Sequence, residues 1–274
     1  MNGLIITGII LGVVIMVLLI ILTLEYSLLV PATKGLPILM YHKISSNRRN
    51  GVTVLASHLE KQFRHIREKG YKTIFFSEII KLMENHQPLP EKSLVLTFDD
   101  AYENFRGLGL ILLKKYNFKA TVFVPAGHMG KSDFWDKGKD AIMKPEVIRS
   151  MAGEELVEIG IHSFMHSSFS EMSVDEMRED LTMCYKTLKD EGIPYVKVLA
   201  YPFGAYPKKD EERKAGMKKL FQETGLAMAL RIGNRINVWP LQDPYEVKRI
   251  DIKGTDSFLT FKIKLKKGRK KLFS

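Results

Sequence analysis

Cysteine is almost absent from this 274-residue chain: Cys184 stands alone, so no intramolecular disulfide can form and stability must come from packing. The absence of disulfides does not fix the compartment. No internal repeat and no low-complexity tract interrupt the chain. At 45% hydrophobic and 27% charged residues it is neither wholly disordered, nor a collagen-like fibre, nor a disulfide-stapled miniprotein. Residues 1–24 hold no charged side chain, and residues 261–274 hold no acid. No histidine follows His166.

The net charge of +11 is uneven, because seven Lys or Arg fall within the last fourteen residues, leaving +4 on the rest. The body is therefore only mildly basic. A nucleic-acid partner is not expected, since that needs a basic stripe interleaved with stacking aromatics. The tail, 259–274, offers only Phe261 and Phe273. Its Lys residues alternate with Ile and Leu, which suits an anionic lipid surface or an anionic polymer, or else a solvated end.

Residues 4–24 form a 21-residue apolar run broken only by Thr and Gly. As a helix rising ~1.5 Å per residue, such a run crosses a bilayer core of roughly 30 Å. A cleaved signal peptide needs a basic start, a shorter core and a small-x-small site, none of which stands out. The expectation is a single-pass anchor at 1–24 and a juxtamembrane linker at 25–36. Lys34, Lys43, Arg48 and Arg49 follow the run and no basic residue precedes it, a bias that by itself puts the body in the cytoplasm.

From residue 37 to 258 apolar runs alternate with helical patterns. The expected strands are 38–41, 72–75, 94–98, 120–124, 156–161, 196–200, 226–229 and 247–252. The expected helices are 57–69, 77–86, 103–116, 145–152, 173–190 and 209–223. The 173–190 helix opens with a capping box, Ser173 and Glu176, and buries a stripe of Met177, Leu181 and Leu188, with Cys184 beside it as core. This alternation predicts an α/β fold with seven or eight parallel strands, closed or nearly closed into a barrel. Catalytic groups in such a barrel sit just beyond the strand ends.

Three strand ends carry chemistry. Asp99-Asp100 follows 94–98, and adjacent buried carboxylates need a shared cation or proton, or serve as a helix cap. His162 and His166 follow 156–161 at a spacing that converges on a metal. One carboxylate and two imidazoles supply three ligands and leave a position for water, with the second carboxylate free to act as base. Tyr201-Pro202-Phe203-Gly204 forms a rigid turn whose N–H groups are candidates for holding an oxyanion.

In order and spacing, Thr97-Phe98-Asp99-Asp100, His162-Ser163-x-x-His166 and Tyr201-Pro202-Phe203-Gly204 resemble the first three motifs of the NodB-homology polysaccharide deacetylases (carbohydrate esterase family 4). The resemblance covers about residues 37 to 255. It implies a distorted (β/α)7 barrel that removes acetyl groups from N-acetylated sugars with zinc or a similar divalent metal. It implies Asp99 as general base, Asp100, His162 and His166 as metal ligands, and the Phe203 N–H as oxyanion donor. Two departures stand out: the base-orienting Arg of the third motif is Ala200 here, and the late general-acid His is missing. A circularly permuted subgroup, which resembles exported poly-N-acetylglucosamine deacetylases, departs in the same two places and carries a Tyr-His pair at the domain start. That likeness, and its place at a strand end, point to His42 as general acid.

Arg249 and Asp251, on the late strand, are candidates for orienting Asp99 and His42. Tyr201, Trp135 and Tyr206 are candidate substrate contacts, with packing as the alternative. His128 receives no role. The expected substrate is an N-acetylhexosamine-containing polysaccharide or glycoconjugate, which favours an extracytoplasmic barrel despite the basic residues after the anchor. Two alternatives remain: a deacylase of a lipid-linked sugar on the cytoplasmic face, and a catalytically silent carbohydrate-binding protein.

Overall fold

The computed structural model describes residues 2–26, 33–136 and 139–269. Helix α1 (Asn2–Tyr26) takes up the apolar N-terminal run. Its segment Ile5–Thr23 has a mean hydropathy of 3.3 and is buried nowhere. A helix apolar on every side with no protein covering it suits lipid; a membrane span and a signal sequence share this character. Residues 27–32 of the expected linker and 270–274 of the tail lie outside the described residues.

The body is a closed barrel. Strands β1 (Ile38–Tyr41), β5 (Ser93–Phe98), β6 (Ala120–Val124), β7 (Val157–Ile161), β8 (Val198–Ala200), β9 (Met228–Ile232) and β10 (Val247–Asp251) run parallel in the order β1-β10-β9-β8-β7-β6-β5. Pairing of β1 with β5, from Ile38↔Val95 to Tyr41↔Phe98, closes the ring. Three short strands stand outside it: β2 (Lys43–Ser45) pairs with β3 (Thr53–Leu55), and β4 (Lys72–Thr73) extends β5 at Ser93. The ring strands are near-continuous apolar runs because both faces are covered. Alternate residues divide the core. Ile38, Val95, Phe123, Val198, Met228, Leu230 and Val247 fill the barrel, while Leu39, Tyr41, Leu96 and Phe98 face outward. Gly160 lets the Phe123 ring into that interior, since a Cβ there would stand 2.4 Å from a ring carbon.

The outer layer holds α2 (Ala56–Glu68), α3 (Phe76–Glu84), α4 (Leu110–Tyr116) behind a π-helical turn at Phe105–Gly109, α5 (Pro145–Ala152), α6 (Val174–Asp190) and α7 (Glu211–Glu223). The capping box of α6 forms, with Ser173 Oγ accepting from Glu176 N at 3.2 Å and Glu176 accepting from Ser173 N at 2.6 Å. Cys184 is buried among Met177, Leu181 and Leu188.

Two expectations need correction. The strand predicted at 226–229 is β9, shifted to Met228–Ile232; Leu226 is buried and precedes it, its N–H closing α7 onto Phe221 O at 2.8 Å. Much of the predicted basic tail is a packed helix, α8 (Phe258–Lys267), with Phe261 and Leu265 buried. His65 of α2 meets the rings of Phe258 and Phe261. Lys264 of α8 reaches inward, donating to Asp251 O at 2.7 Å and Asp256 at 2.6 Å. Lys stems can cover apolar surface when the ammonium finds acceptors.

Candidate active site

The inward positions of four strands run out into one group of side chains. Along β1, Ile38 and Met40 are followed by His42; along β5, Val95 and Thr97 are followed by Asp99. Along β7, Glu158 and Gly160 are followed by His162, and along β10, Val247 is followed by Arg249. Period-2 alternation therefore aims all four at the same mouth. The hydrogen bond from Asp99 N to Tyr41 O, 2.9 Å, sets the ends of β1 and β5 side by side. His42, Asp99, Asp100, His162, His166 and Arg249 line a cavity of about 200 Å3.

Asp100, His162 and His166 form one group that could hold a metal ion, with donor atoms within 4.8 Å of one another. His162 Nε2 lies 3.4 Å and His166 Nε2 3.1 Å from Asp100 Oδ1. That oxygen is buried, and the two ring nitrogens face it without well-formed hydrogen-bond geometry among the described residues. Atoms ~2.0–2.2 Å from a tetrahedral zinc stand roughly 3.4 Å apart, so two imidazoles and one carboxylate at these separations fit a divalent cation. Burial works against the charged form of Asp100, but His162 and His166 overcome it and hold the carboxyl well below its ordinary value. Burial likewise lowers His166 and keeps its imidazole in the neutral form a metal requires. Asp100 (φ 71°), Ser163 (φ 65°) and His166 (φ 54°) occupy the left-handed region. Such strain persists where surrounding contacts enforce it, commonly at functional sites.

Asp99 is held differently. Arg249 Nη1 donates to its Oδ1 at 2.6 Å and Nη2 to its Oδ2 at 2.8 Å, in a pair whose side chains are 1% and 2% exposed. Burial raises the carboxyl, and Arg249, His162 and His42 outweigh it, so its pKa lies below the ordinary value. Asp99 therefore stays a carboxylate at neutral pH. The His42 side chain is 21% exposed, and its Nε2 is 3.8 Å from Asp99 Oδ2. The guanidinium that grips Asp99 comes from β10, whereas Ala200, in the place of the third-motif Arg, offers its carbonyl to His162 Nδ1 at 2.7 Å.

Phe203 has φ 58° in the turn Pro202–Gly204. Its ring is 59% exposed and stands edge-on to His166 at 4.8 Å. The turn places Phe203 at the cavity wall. Tyr201 is at the cavity wall but fully buried, and its hydroxyl donates to Tyr245 O at 3.0 Å, which braces the turn from behind. Tyr206 stacks on Tyr201 and donates to Glu246, away from the cavity. Asp251 is not among the residues lining the cavity, and its carboxylate lies 3.8 Å from Lys253 Nζ. Trp135 does line the cavity, but one ring face is committed to His166, with centroids 3.9 Å apart and planes at 12°. His128 packs behind it against Phe134 and Trp135.

Sequence reasoning missed Asp180. Its carboxylate accepts from Ser163 Oγ at 2.7 Å and from the N–H groups of Phe164 (2.9 Å) and Met165 (3.3 Å). It thereby shapes the loop between the two histidines. The available signal was an Asp inside the apolar stripe of α6, three residues after Met177 and four before Cys184.

Comparisons with known proteins agree with this architecture. The polysaccharide deacetylase family profile matches residues 86–220. YxkH of Bacillus subtilis (strain 168), provisionally named a polysaccharide deacetylase, is 28% identical over 187 residues, 68% of this chain and 62% of its own. The poly-β-1,6-N-acetyl-D-glucosamine N-deacetylase of Staphylococcus aureus (strain MRSA252) is 28% identical over 189 residues, 65% of this chain and 64% of its own. The chain thus spans somewhat under two thirds of the length of these curated relatives. IcaB from Ammonifex degensii shares the fold, with a TM-score of 0.70 at 19% identity over 85% of this chain and 97% of that one. With its closed seven-stranded barrel and the Asp-Asp, His-x-x-x-His and Tyr-Pro-Phe-Gly motifs at the strand ends, the chain carries a polysaccharide deacetylase domain.

Proposed function

We propose that this protein is a metal-dependent deacetylase that hydrolyses N-acetyl groups of an N-acetylhexosamine-containing glycan. The observation that carries the reading is the division of labour between neighbouring carboxylates. Asp100 faces two imidazole nitrogens at 3.1 and 3.4 Å, whereas Asp99 is gripped by Arg249 and flanked by His42. One carboxylate suits a cation and the other a proton.

A divalent metal such as zinc, held by Asp100, His162 and His166, would supply a polarised acetyl carbonyl and an acidified water. Asp99 accepts the proton as water attacks the carbonyl carbon. The N–H of Phe203 donates to the oxygen that gains negative charge. His42 gives its proton to the amide nitrogen as the C–N bond breaks, so acetate and a free amine leave. Arg249 fixes the direction of Asp99 and keeps it ionised. The small cavity suits one acetamido group and its ring, with the rest of a glycan lying across the exposed rim of Phe203 and Phe134.

The full chain, purified in detergent, is expected to release acetate from oligomers of chitin, peptidoglycan or poly-N-acetylglucosamine. Release should stop on chelation and return with added Zn2+. Glycan binding without acetate release under any metal would replace this reading with a silent carbohydrate-binding protein.

Helix α1 is read as a retained anchor, with the barrel on the outer side of the membrane where acetylated polysaccharides lie. Protease added to intact spheroplasts should then cut the barrel. Protection until the membrane is opened would place it inside and favour a lipid-linked sugar as substrate.

A further inference from the structure

The two imidazoles of the candidate ligand set share one carboxylate oxygen but are themselves held by different means. His162 has the outer hydrogen bond that normally fixes a metal-ligating ring, its Nδ1 lying 2.7 Å from Ala200 O. His166 Nδ1 is buried and has no hydrogen-bond partner among the described residues. Its ring lies flat on Trp135 and edge-on to Phe203. The stack on Trp135 is therefore what sets the plane of His166.

Trp135 sits in the loop between β6 and α5, just past the Ser132↔Ala141 bridge and in neither helix nor strand itself, so its position leans on side-chain contacts. Lys43 ties this loop. It is 1% exposed, and its Nζ lies 2.8 Å from Asp133, 2.6 Å from Asp136 and 2.8 Å from Asp140. Burying an ammonium is costly unless it is paired; Asp133 and Asp136 accept its hydrogen bonds, and Asp140 adds a third carboxylate. Asp133 and Asp136 bracket Trp135 in sequence. Asp133 is locked further by the Tyr102 hydroxyl at 2.8 Å, and the Tyr102 ring faces the ammonium at 4.6 Å. Lys43 directly follows His42, so one strand end carries both a cavity residue and the tie.

We propose that Lys43 is a positioning residue of the metal centre: by gathering Asp133, Asp136 and Asp140 it presses Trp135 against His166, in place of the hydrogen bond that His166 Nδ1 lacks. This rests on reading Asp100, His162 and His166 as metal ligands.

The sequence has two tryptophans, so Trp239→Phe leaves Trp135 as the sole reporter in the full chain. Trp135 emission and Zn2+ affinity, measured by chelator competition, are then compared across variants. Lys43→Met is expected to shift the emission to the red and to weaken Zn2+ binding roughly 10- to 100-fold, the usual effect of losing an outer partner. Lys43→Arg should restore most of both. In a Trp135→Leu chain, Lys43→Met should cost little further Zn2+ affinity, because residues acting through one contact are not additive. An equal loss with and without Trp135, or an affinity at the parent level despite shifted emission, overturns the proposal. Asp136→Asn, a milder break at a partly exposed partner, should move both readouts the same way and serves if Lys43→Met does not fold. Unchanged readouts there also overturn it. A parent chain that binds no Zn2+ would instead sink the metal-centre reading.

Discussion

An Asp99→Asn chain is expected to bind Zn2+ as the parent does and to release acetate about 10^2- to 10^4-fold more slowly, the range associated with losing a positioned general base. Asp100→Ala should do the reverse of the first half, losing the metal itself, because it removes one of three ligands and the oxygen that both imidazoles face. His42→Ala should keep the metal and lose turnover, most steeply on substrates whose amine leaves unprotonated with difficulty. Asn at position 99 can accept from one arm of Arg249 but turns an amide donor toward the other. Some loss of thermal stability is therefore built into that variant, and rates must be compared well below its unfolding temperature. Metal content by elemental analysis and acetate release separate the three cases. If Asp99→Asn and Asp100→Ala both hydrolyse like the parent, the division into base and ligand is wrong. Full activity in His42→Ala would move the proton-donor role to another group.

Much of this was legible because local signals and tertiary demands coincided. The ring strands are continuous apolar runs, as strands buried on both faces must be, and each predicted chemical residue lies within a residue or a short loop of such a run. The α6 helix announced both its start, through Ser173 and Glu176, and its buried face. Failures came where local composition pointed elsewhere. Strands β2 and β3 have three residues each, too few for any period to register. In α8 the density of Lys concealed a buried pair, Phe261 and Leu265, and the partners that accept Lys264 are defined only by the fold. Arg249 and Asp99 are 150 positions apart in sequence. No spacing rule links them, because it is the pairing of β10 with β1 and of β1 with β5 that brings their strands to one mouth. Tyr201 shows the converse: a motif aromatic at the cavity wall also braces the turn behind it through its hydroxyl on Tyr245 O.

The Arg249–Asp99 pair sets the second large effect. Removing one partner of a buried, bidentate ion pair leaves the other charged and desolvated, which typically costs about 3–5 kcal/mol. Arg249→Met should lose stability on that scale, while Arg249→Lys, which keeps the charge but not the fork, should lose less. The pH dependence follows from the sign of the shift. In the parent, Asp99 titrates below its ordinary value, so the pair stabilises above the unfolded carboxyl's pKa and that contribution is lost as pH falls through the lower folded value. Without Arg249 the burial that raises Asp99 loses its largest opponent, and the carboxyl moves upward. The folded variant then holds its proton more tightly than before, and less of Asp99 is available as base in mildly acidic solution. The acid limb of the rate profile should accordingly move to higher pH in Arg249→Met, and partway in Arg249→Lys, with metal content unchanged in both. An acid limb that stays where the parent has it, in a folded and metal-loaded Arg249→Lys chain, would mean that the guanidinium staples the barrel together without tuning the base.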